Sequence, residues 1–296
     1  MKLLTFEHSG HEQLGVLSAD EKSIIALEEL GFFLTDMNAL IAWQEKNKLQ
    51  QISAKIREGH FKPIPLENVH LSAPIPHPVR DVICMGLNYL DHAQEMADAL
   101  EEKAQQRIWP IFFGKAVDRA RGHGEAIPSH KDFISTLDYE CELAAVLGRD
   151  VYQVKAEEVR DCIFGYTILN DITARELNRH KQNYFQKSLN GTCPMGPWLI
   201  TADEISYPPD LSIRLWVNGE LRQNGSTAQM LFNLDDIIST LSQGMTLPAG
   251  TIIATGSPTG IGFGMHPPVF LKDSDLIRCE IEGIGALCNI VKDDAK

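Results

Sequence analysis

A chain of 296 residues, 44% hydrophobic and 23% charged, has an ordinary globular composition and can bury a large core without disulfide or metal staples. Its net charge of −13 argues against non-specific nucleic-acid binding and against docking on an anionic membrane, and no stretch approaches the ~20 apolar residues of a membrane span. Six cysteines scattered from Cys84 to Cys288 without a C-x-x-C, and an N-terminus that meets charge before any apolar run, predict a cytoplasmic protein with reduced thiols.

The chain opens with short alternating runs, read as strands over Lys2–Phe6, Gln13–Leu17 and Ser23–Ala26. A helical stretch follows, with apolar positions from Leu40 to Ile56 and Gly59 as its stop. Alternate prolines hold Ser72–Pro78 extended, so residues 1–72 are expected as a small α+β domain and 73–296 as the main one. Beyond Val79, β-type runs dominate: Asp81–Met85, Ile111–Phe113, Tyr139–Leu147, Phe164–Leu169, Trp198–Thr201, Leu211–Val217, Thr251–Thr255 and Leu276–Ile281, with Asn218-Gly219 as a hairpin turn. Helices are expected at Tyr89–Gln106, Ala156–Asp161, Ala174–Gln182 and Asn233–Gln243, the last capped by Asn233. No repeating βαβ rhythm appears, so the expected class is α+β, strand-rich, with a mixed barrel or sandwich core.

Asp138-Tyr139-Glu140-Cys141-Glu142 carries the most chemistry. Residues two apart on a strand share a face, which groups the three carboxylates, and such neighbours repel unless a cation sits among them. The competing reading is a solvated edge strand whose charges discourage aggregation. A second acidic strand end, the apolar run Phe164–Leu169 stopping at Asn170-Asp171, offers a third oxygen ligand. An all-oxygen set selects Mg²⁺, Mn²⁺ or Ca²⁺ over Zn²⁺.

If Tyr89 onward is helical, His92 and Glu95 share a face, as a general base and its orienter need; an incidental surface pair looks the same. The glycine-rich Thr255–Gly264 follows a strand but lacks a P-loop ending, which leaves an anion-approaching loop or, by default, a tight corner turn. Lys187, Lys115 and Arg175 could each hold a substrate carboxylate or sit solvated on the surface. His8 and His11 form an H-x-x-H without acidic or cysteine partners and read as exposed.

From about Val79 to Val291 these blocks resemble the fumarylacetoacetate hydrolase family. The matching segments are Gly86-Leu87-Asn88-Tyr89 with His92-Ala93-x-Glu95-Met96, Asp138-Tyr139-Glu140-x-Glu142-Leu143, Gly165–Arg175, Cys193–Trp198, Val217–Glu220, Leu241–Leu247, Ala254–Gly260 and Ile284-Gly285. Arg179–Gln182 with Lys187-Ser188-Leu189 and Thr192–Pro197 is most similar to the bacterial oxaloacetate decarboxylase and acylpyruvate hydrolase branch. The pattern departs at Asn190 (usually Asp), Asn178 (usually Gln), Ser257 (usually Thr) and Thr251 (commonly Asp), which touches substrate identity more than reaction class.

The resemblance implies a mixed β-roll, a homodimer, and Mg²⁺ or Mn²⁺ held by Glu140, Glu142 and Asp171. It also implies His92 and Glu95 on a mobile lid, Lys187 facing the substrate, and Asn88, Arg175, Asn178, Thr255, Gly256 and Ser257 around a small 2-oxo acid. The implied reaction is C–C cleavage through a metal-stabilised pyruvate enolate, by acylpyruvate hydrolysis or oxaloacetate decarboxylation. A 2-hydroxydienoic acid isomerase or hydratase is the enzymatic rival, and a non-catalytic metal or sugar-acid binding protein is the rival of another class.

Overall fold

The computed structural model describes residues 1–43, 47–100, 109–178 and 182–293. Its larger sheet runs, in spatial order, Ile64–Pro65, Ser23–Ala26, His11–Leu17, Lys2–His8, Met195–Thr201, Ile163–Asn170, Cys141–Leu147, Ile252–Ala254, Val82–Gly86 and Ile111–Lys115, with His70–Leu71 also paired to Lys2–His8. The smaller sheet runs Glu220–Ser226, Ser212–Val217, Leu276–Ile281, Gly285–Lys292 and Ala126–Pro128. Each contains one parallel pairing, Ile252–Ala254 with Val82–Gly86 and Gly285–Lys292 with Ala126–Pro128, so the architecture is mixed as expected. Among the described residues neither sheet closes on itself. The core is an open roll, not a closed barrel.

Period-two alternation divides the core. In Cys141–Leu147, Leu143 and Ala145 face a cluster shared with Ile213, Leu215, Cys279 and Ile281 of the smaller sheet. Ala144 and Val146 face a second cluster with Leu40, Ile41 and Ile52. Strand Ile163–Asn170 is buried along its whole length, and Gly165 is required there because a Cβ would lie 2.2 Å from the Ile200 carbonyl oxygen. The N-terminal strand joins the same sheet, pairing Lys2 with Ile200 and Leu3 with Leu199.

The expected strands appear with shifts of a few residues at their ends, and Ser23–Ala26 and Leu276–Ile281 have the expected bounds. The first helical stretch is two helices, Met37–Ala42 and Lys48–Glu58, the second ended by Gly59 at φ 74°. Helix Leu90–Ala99 begins where expected, while residues 101–106 of that expectation lie outside the described residues. The helix expected over Ala174–Gln182 is corrected: Thr173–Ala174 pairs with Leu137–Asp138, and Arg175–Leu177 is a short 3₁₀ turn. Residues 179–181 of that expectation and of the Arg179–Gln182 motif lie outside the described residues, and a short helix follows at Asn183–Lys187. Helix Leu234–Ser242 carries the Asn233 cap, whose side chain accepts from the Asp236 N–H at 3.0 Å. No helix among the described residues is long and apolar enough to cross a membrane.

Candidate active site and metal centre

The acidic row does not lie on a solvated edge. Cys141–Leu147 is paired on both sides, by Ile163–Asn170 and Ile252–Ala254, and Asp138, Glu140 and Glu142 are all buried. The strand path breaks at Glu140, where side chains replace ladder partners. The Glu140 N–H donates to Asn170 Oδ1 (3.0 Å), and the Cys141 N–H to Gln223 Oε1 (2.9 Å). The Asp171 N–H returns to the Glu140 carbonyl (2.8 Å), which ties the two acidic strand ends together. One carboxylate oxygen each of Glu140, Glu142 and Asp171 comes within 4.8 Å of the others.

Asp138, on the short strand Leu137–Asp138, lies outside this cluster. It accepts from Arg175 Nε (2.9 Å) and from the N–H groups of Gly262 (2.8 Å) and Phe263 (3.0 Å). Arg175 is thereby engaged on the protein itself, its Nη2 donating to Glu140 Oε1 at 2.6 Å. Lys187 Nζ bridges Glu140 Oε2 (2.7 Å) and Asp171 Oδ2 (2.6 Å). Lys115 is fully buried; its Nζ lies 2.8 Å from Asp171 Oδ1 as an ion pair, and it donates to the carbonyls of Ile172 and Lys187. The reading of Lys115 and Arg175 as solvated surface residues is thus excluded.

Among the described residues, four buried acidic side chains (Asp138, Glu140, Glu142, Asp171) therefore face three buried basic ones (Lys115, Arg175, Lys187). The acid least compensated is Glu142. Burial and the neighbouring Asp171 and Glu140 push the Glu142 carboxyl well above its ordinary range, and its protein hydrogen bond is from the Gly256 N–H at 2.7 Å. Burial also disfavours charge on Glu140, but Lys187, Arg175 and His92 outweigh it and hold that carboxyl far below the usual range. An oxygen-only set with one more acidic than basic side chain fits a hard divalent cation.

Above this cluster, helix Leu90–Ala99 presents His92 and Glu95 on one face, as their spacing predicts. His92 Nδ1 lies 2.9 Å from Glu95 Oε2, both side chains nearly buried. Asn88 places the start of that helix, donating to the carbonyls of Phe232 (2.9 Å) and Thr255 (2.8 Å) and accepting from the Phe232 N–H (2.9 Å). Thr255 Oγ1 donates to the Leu143 carbonyl (2.9 Å), Gly256 at φ 89° turns its N–H onto Glu142, and Ser257 Oγ accepts from Gln223 Nε2 (3.3 Å). Asn178 Oδ1 is buried without a hydrogen-bond partner among the described residues. His8 and His11 are cross-strand partners in the first hairpin, His11 exposed and His8 partly buried.

Sequence reasoning leaves Lys115, Gln223 and the separate fate of Asp138 undetermined. Lys115 had a usable signal: it ends the apolar run Ile111–Gly114, as Asp171 follows its own.

Comparison with known proteins converges on one family. Residues 81–292 match the family model described as fumarylacetoacetate (FAA) hydrolase C-terminal. Oxaloacetate tautomerase YisK of Bacillus subtilis is 48% identical over 225 residues, 76% of this chain and 73% of that protein. Among solved structures, fumarylacetoacetate hydrolase from Exiguobacterium antarcticum superposes with a TM-score of 0.82 at 37% identity, covering 99% of this chain and all of that one. Maleylpyruvate hydrolase from Sphingobium sp. SYK-6, solved with manganese(II) and pyruvate, gives 0.77 at 30% identity with complete coverage of both chains. With most of its length matched in sequence and nearly all of it in fold, this chain belongs to the fumarylacetoacetate hydrolase family of enzymes.

Proposed function

We propose that this protein is a divalent-metal-dependent enzyme that forms a pyruvate-type enolate from a small 2-oxo acid by breaking a bond to C3. The observation that carries the proposal is a His–Glu pair beside a buried carboxylate cluster: His92 Nδ1 lies 2.9 Å from Glu95 Oε2, and one oxygen each of Glu140, Glu142 and Asp171 lies within 4.8 Å of the others. Glu140, Glu142 and Asp171 would hold Mg²⁺ or Mn²⁺, which when bound supplies Lewis-acid polarisation of a keto oxygen.

The residues divide the remaining work. Glu95 fixes His92 through Nδ1, which leaves Nε2 to exchange the proton. With an acylpyruvate, His92 takes a proton from the water that adds to the distal carbonyl; the C–C bond then breaks, releasing a carboxylic acid and the enolate, which is protonated at C3. With oxaloacetate, loss of CO₂ leaves the same enolate and no water is consumed. Lys187 keeps its ammonium, because Asp171 and Glu140 outweigh the effect of burial and raise its pKa, and it neutralises charge beside the reacting carbonyl. Asn88, Arg175, Asn178, Thr255, Gly256 and Ser257 form the proposed substrate wall, Asn88 and Arg175 acting through the groups they hold in place. The reading further takes residues 73–296 as the catalytic unit of a cytoplasmic homodimer.

A second reading, proton transfer between C3 and the keto oxygen without cleavage, is favoured by the name of the B. subtilis relative. Both are tested by incubating the purified protein, with Mg²⁺ or Mn²⁺, with oxaloacetate and a series of acylpyruvates. Pyruvate, CO₂ and the enol absorbance are followed together. Pyruvate release supports cleavage, and keto–enol exchange alone supports tautomerisation. No turnover of any 2-oxo acid would overturn both and favour a binding protein on this fold.

A further inference from the structure

The glycine loop that follows strand Ile252–Ala254 lies between the two halves of the site and touches both. From the helix side, Glu95 Oε1 accepts the Gly260 N–H at 2.8 Å while its other oxygen holds His92. From the strand side, Asp138 accepts the N–H groups of Gly262 and Phe263 while also holding Arg175, which in turn holds Glu140. An unbroken polar path therefore runs from His92 through Glu95, the loop backbone, Asp138 and Arg175 to Glu140.

Three glycines make this fit. A Cβ on Gly264 would lie 2.4–2.6 Å from the Cγ, Oε1 and Cδ of Glu95. One on Gly262 would meet Asp138 Oδ1 at 2.8 Å and the Val269 carbonyl oxygen at 2.0 Å. Gly260, at φ 109°, packs onto the backbone of Arg222 in the hairpin beneath, where a Cβ would lie 1.8 Å from the carbonyl oxygen. The loop is thus seated on the smaller sheet and closed by backbone amides on two carboxylates. A corner turn needs neither carboxylate, nor the close approach of the Glu95 side chain to Gly264.

We infer that Gly260–Gly264 is a latch that seats helix Leu90–Ala99 on the carboxylate cluster, with Asp138 as the positioning residue that sets the latch. The latch rests on the reading of His92–Glu95 as the proton-handling pair. Asp138 reaches the reaction only through the loop and Arg175, so it acts on orientation and not on the proton itself.

The test compares Gly264→Ala and Asp138→Asn with wild type and with Gly244→Ala, whose added methyl meets nothing. On Mn²⁺-loaded protein, Gly264→Ala is expected to speed hydrogen exchange across Leu90–Ala99. It should lower kcat by about 100-fold, the scale of a 1 Å misplacement of a reacting group, with KM and Mn²⁺ affinity changed far less. Asp138→Asn should reproduce the pattern more weakly, and Gly244→Ala should not show it. Unchanged exchange and unchanged kcat in Gly264→Ala would overturn the latch. So would a kcat loss accompanied by loss of Mn²⁺ binding without faster exchange in the helix. If wild type turns over no 2-oxo acid, the proposed function fails, and the exchange measurement alone still decides whether the latch exists.

Discussion

Glu140, Glu142 and Asp171 stand at the ends of strands that are paired on both sides and buried throughout, whereas His92 and Glu95 ride on a helix whose first residue, Leu90, is 67% exposed. The lower wall of the site shares its burial with the core, so its charges are compensated inside the protein by Lys115, Arg175 and Lys187. The upper wall has few apolar contacts of its own: Ala93 and Ala97 are its buried hydrophobic side chains, and Glu95 reaches the rest of the molecule through the Gly260 amide. Segments with little buried apolar surface open at low free-energy cost, and lids are drawn from them. On the proposed reading, the contrast separates the holding of charge by a rigid, fully packed wall from the handling of a proton on a more lightly anchored helix.

Glu140→Ala attacks the lower wall and should have the largest effect. It removes a proposed ligand and leaves Lys187 and Arg175 short of a partner. Turnover should fall at least about 100-fold, since even indirect supports of a metal site are worth 10–100-fold. The metal-free protein should lose about 3–5 kcal/mol, the usual cost of breaking a buried ion pair from one side, measured by urea unfolding. His92→Gln attacks the upper wall alone. It should cost about 10²–10⁴-fold in acylpyruvate hydrolysis, as for other positioned acid–base groups, and less in oxaloacetate decarboxylation, with Mn²⁺ affinity intact by calorimetry. Equal stability losses in the two variants would collapse the distinction between the walls.

Lys115→Met sharpens the charge account, because it widens the imbalance around Asp171 by one more negative charge. The metal-free variant should melt lower than wild type, and saturating Mn²⁺ should restore more of its Tm than it adds to wild type. The smallest effect is on pH dependence. Glu142 binds its proton more tightly folded than unfolded, so its contribution is fully present below the ordinary glutamate pKa and is lost as pH rises through the raised value. Metal-free protein should therefore lose stability across that window as pH rises, and Glu142→Gln should flatten the slope. Mn²⁺ at 100 times its dissociation constant should add about 2.7 kcal/mol at the upper end. A metal-free stability that rises through this range would contradict Glu142 as the acid that holds its proton in the fold.

Much of the lower wall was legible because it obeys local rules. Two-residue periodicity puts Glu140 and Glu142 together, and an apolar strand ending in Asp171 advertises its carboxylate. Period alone cannot say that Asp138 leaves the group, since that depends on Arg175 and on two loop amides brought in from residues 262 and 263. Lys115 escapes notice for a similar reason: an isolated lysine reads as solvated until the strand that carries it is seen to end against Asp171. The helix expected over Ala174–Gln182 fails at its start because pairing with Leu137–Asp138 outcompetes helical propensity at Thr173–Ala174. Gly285–Lys292 lacks a clean alternation and emerges as a strand only between its two partners.

The three buried cations also bear on the order in which the protein is assembled. In small zinc domains the ligands cannot be gathered until the ion arrives, so folding and metallation are one event. Here ammonium and guanidinium groups supplied by the chain already gather the acidic side chains, and Glu142 alone of the four lacks a cationic partner among the described residues. On the proposed reading, an ion taken up by Glu140, Glu142 and Asp171 would then load as a separate step after folding, reversible without unravelling the sheet.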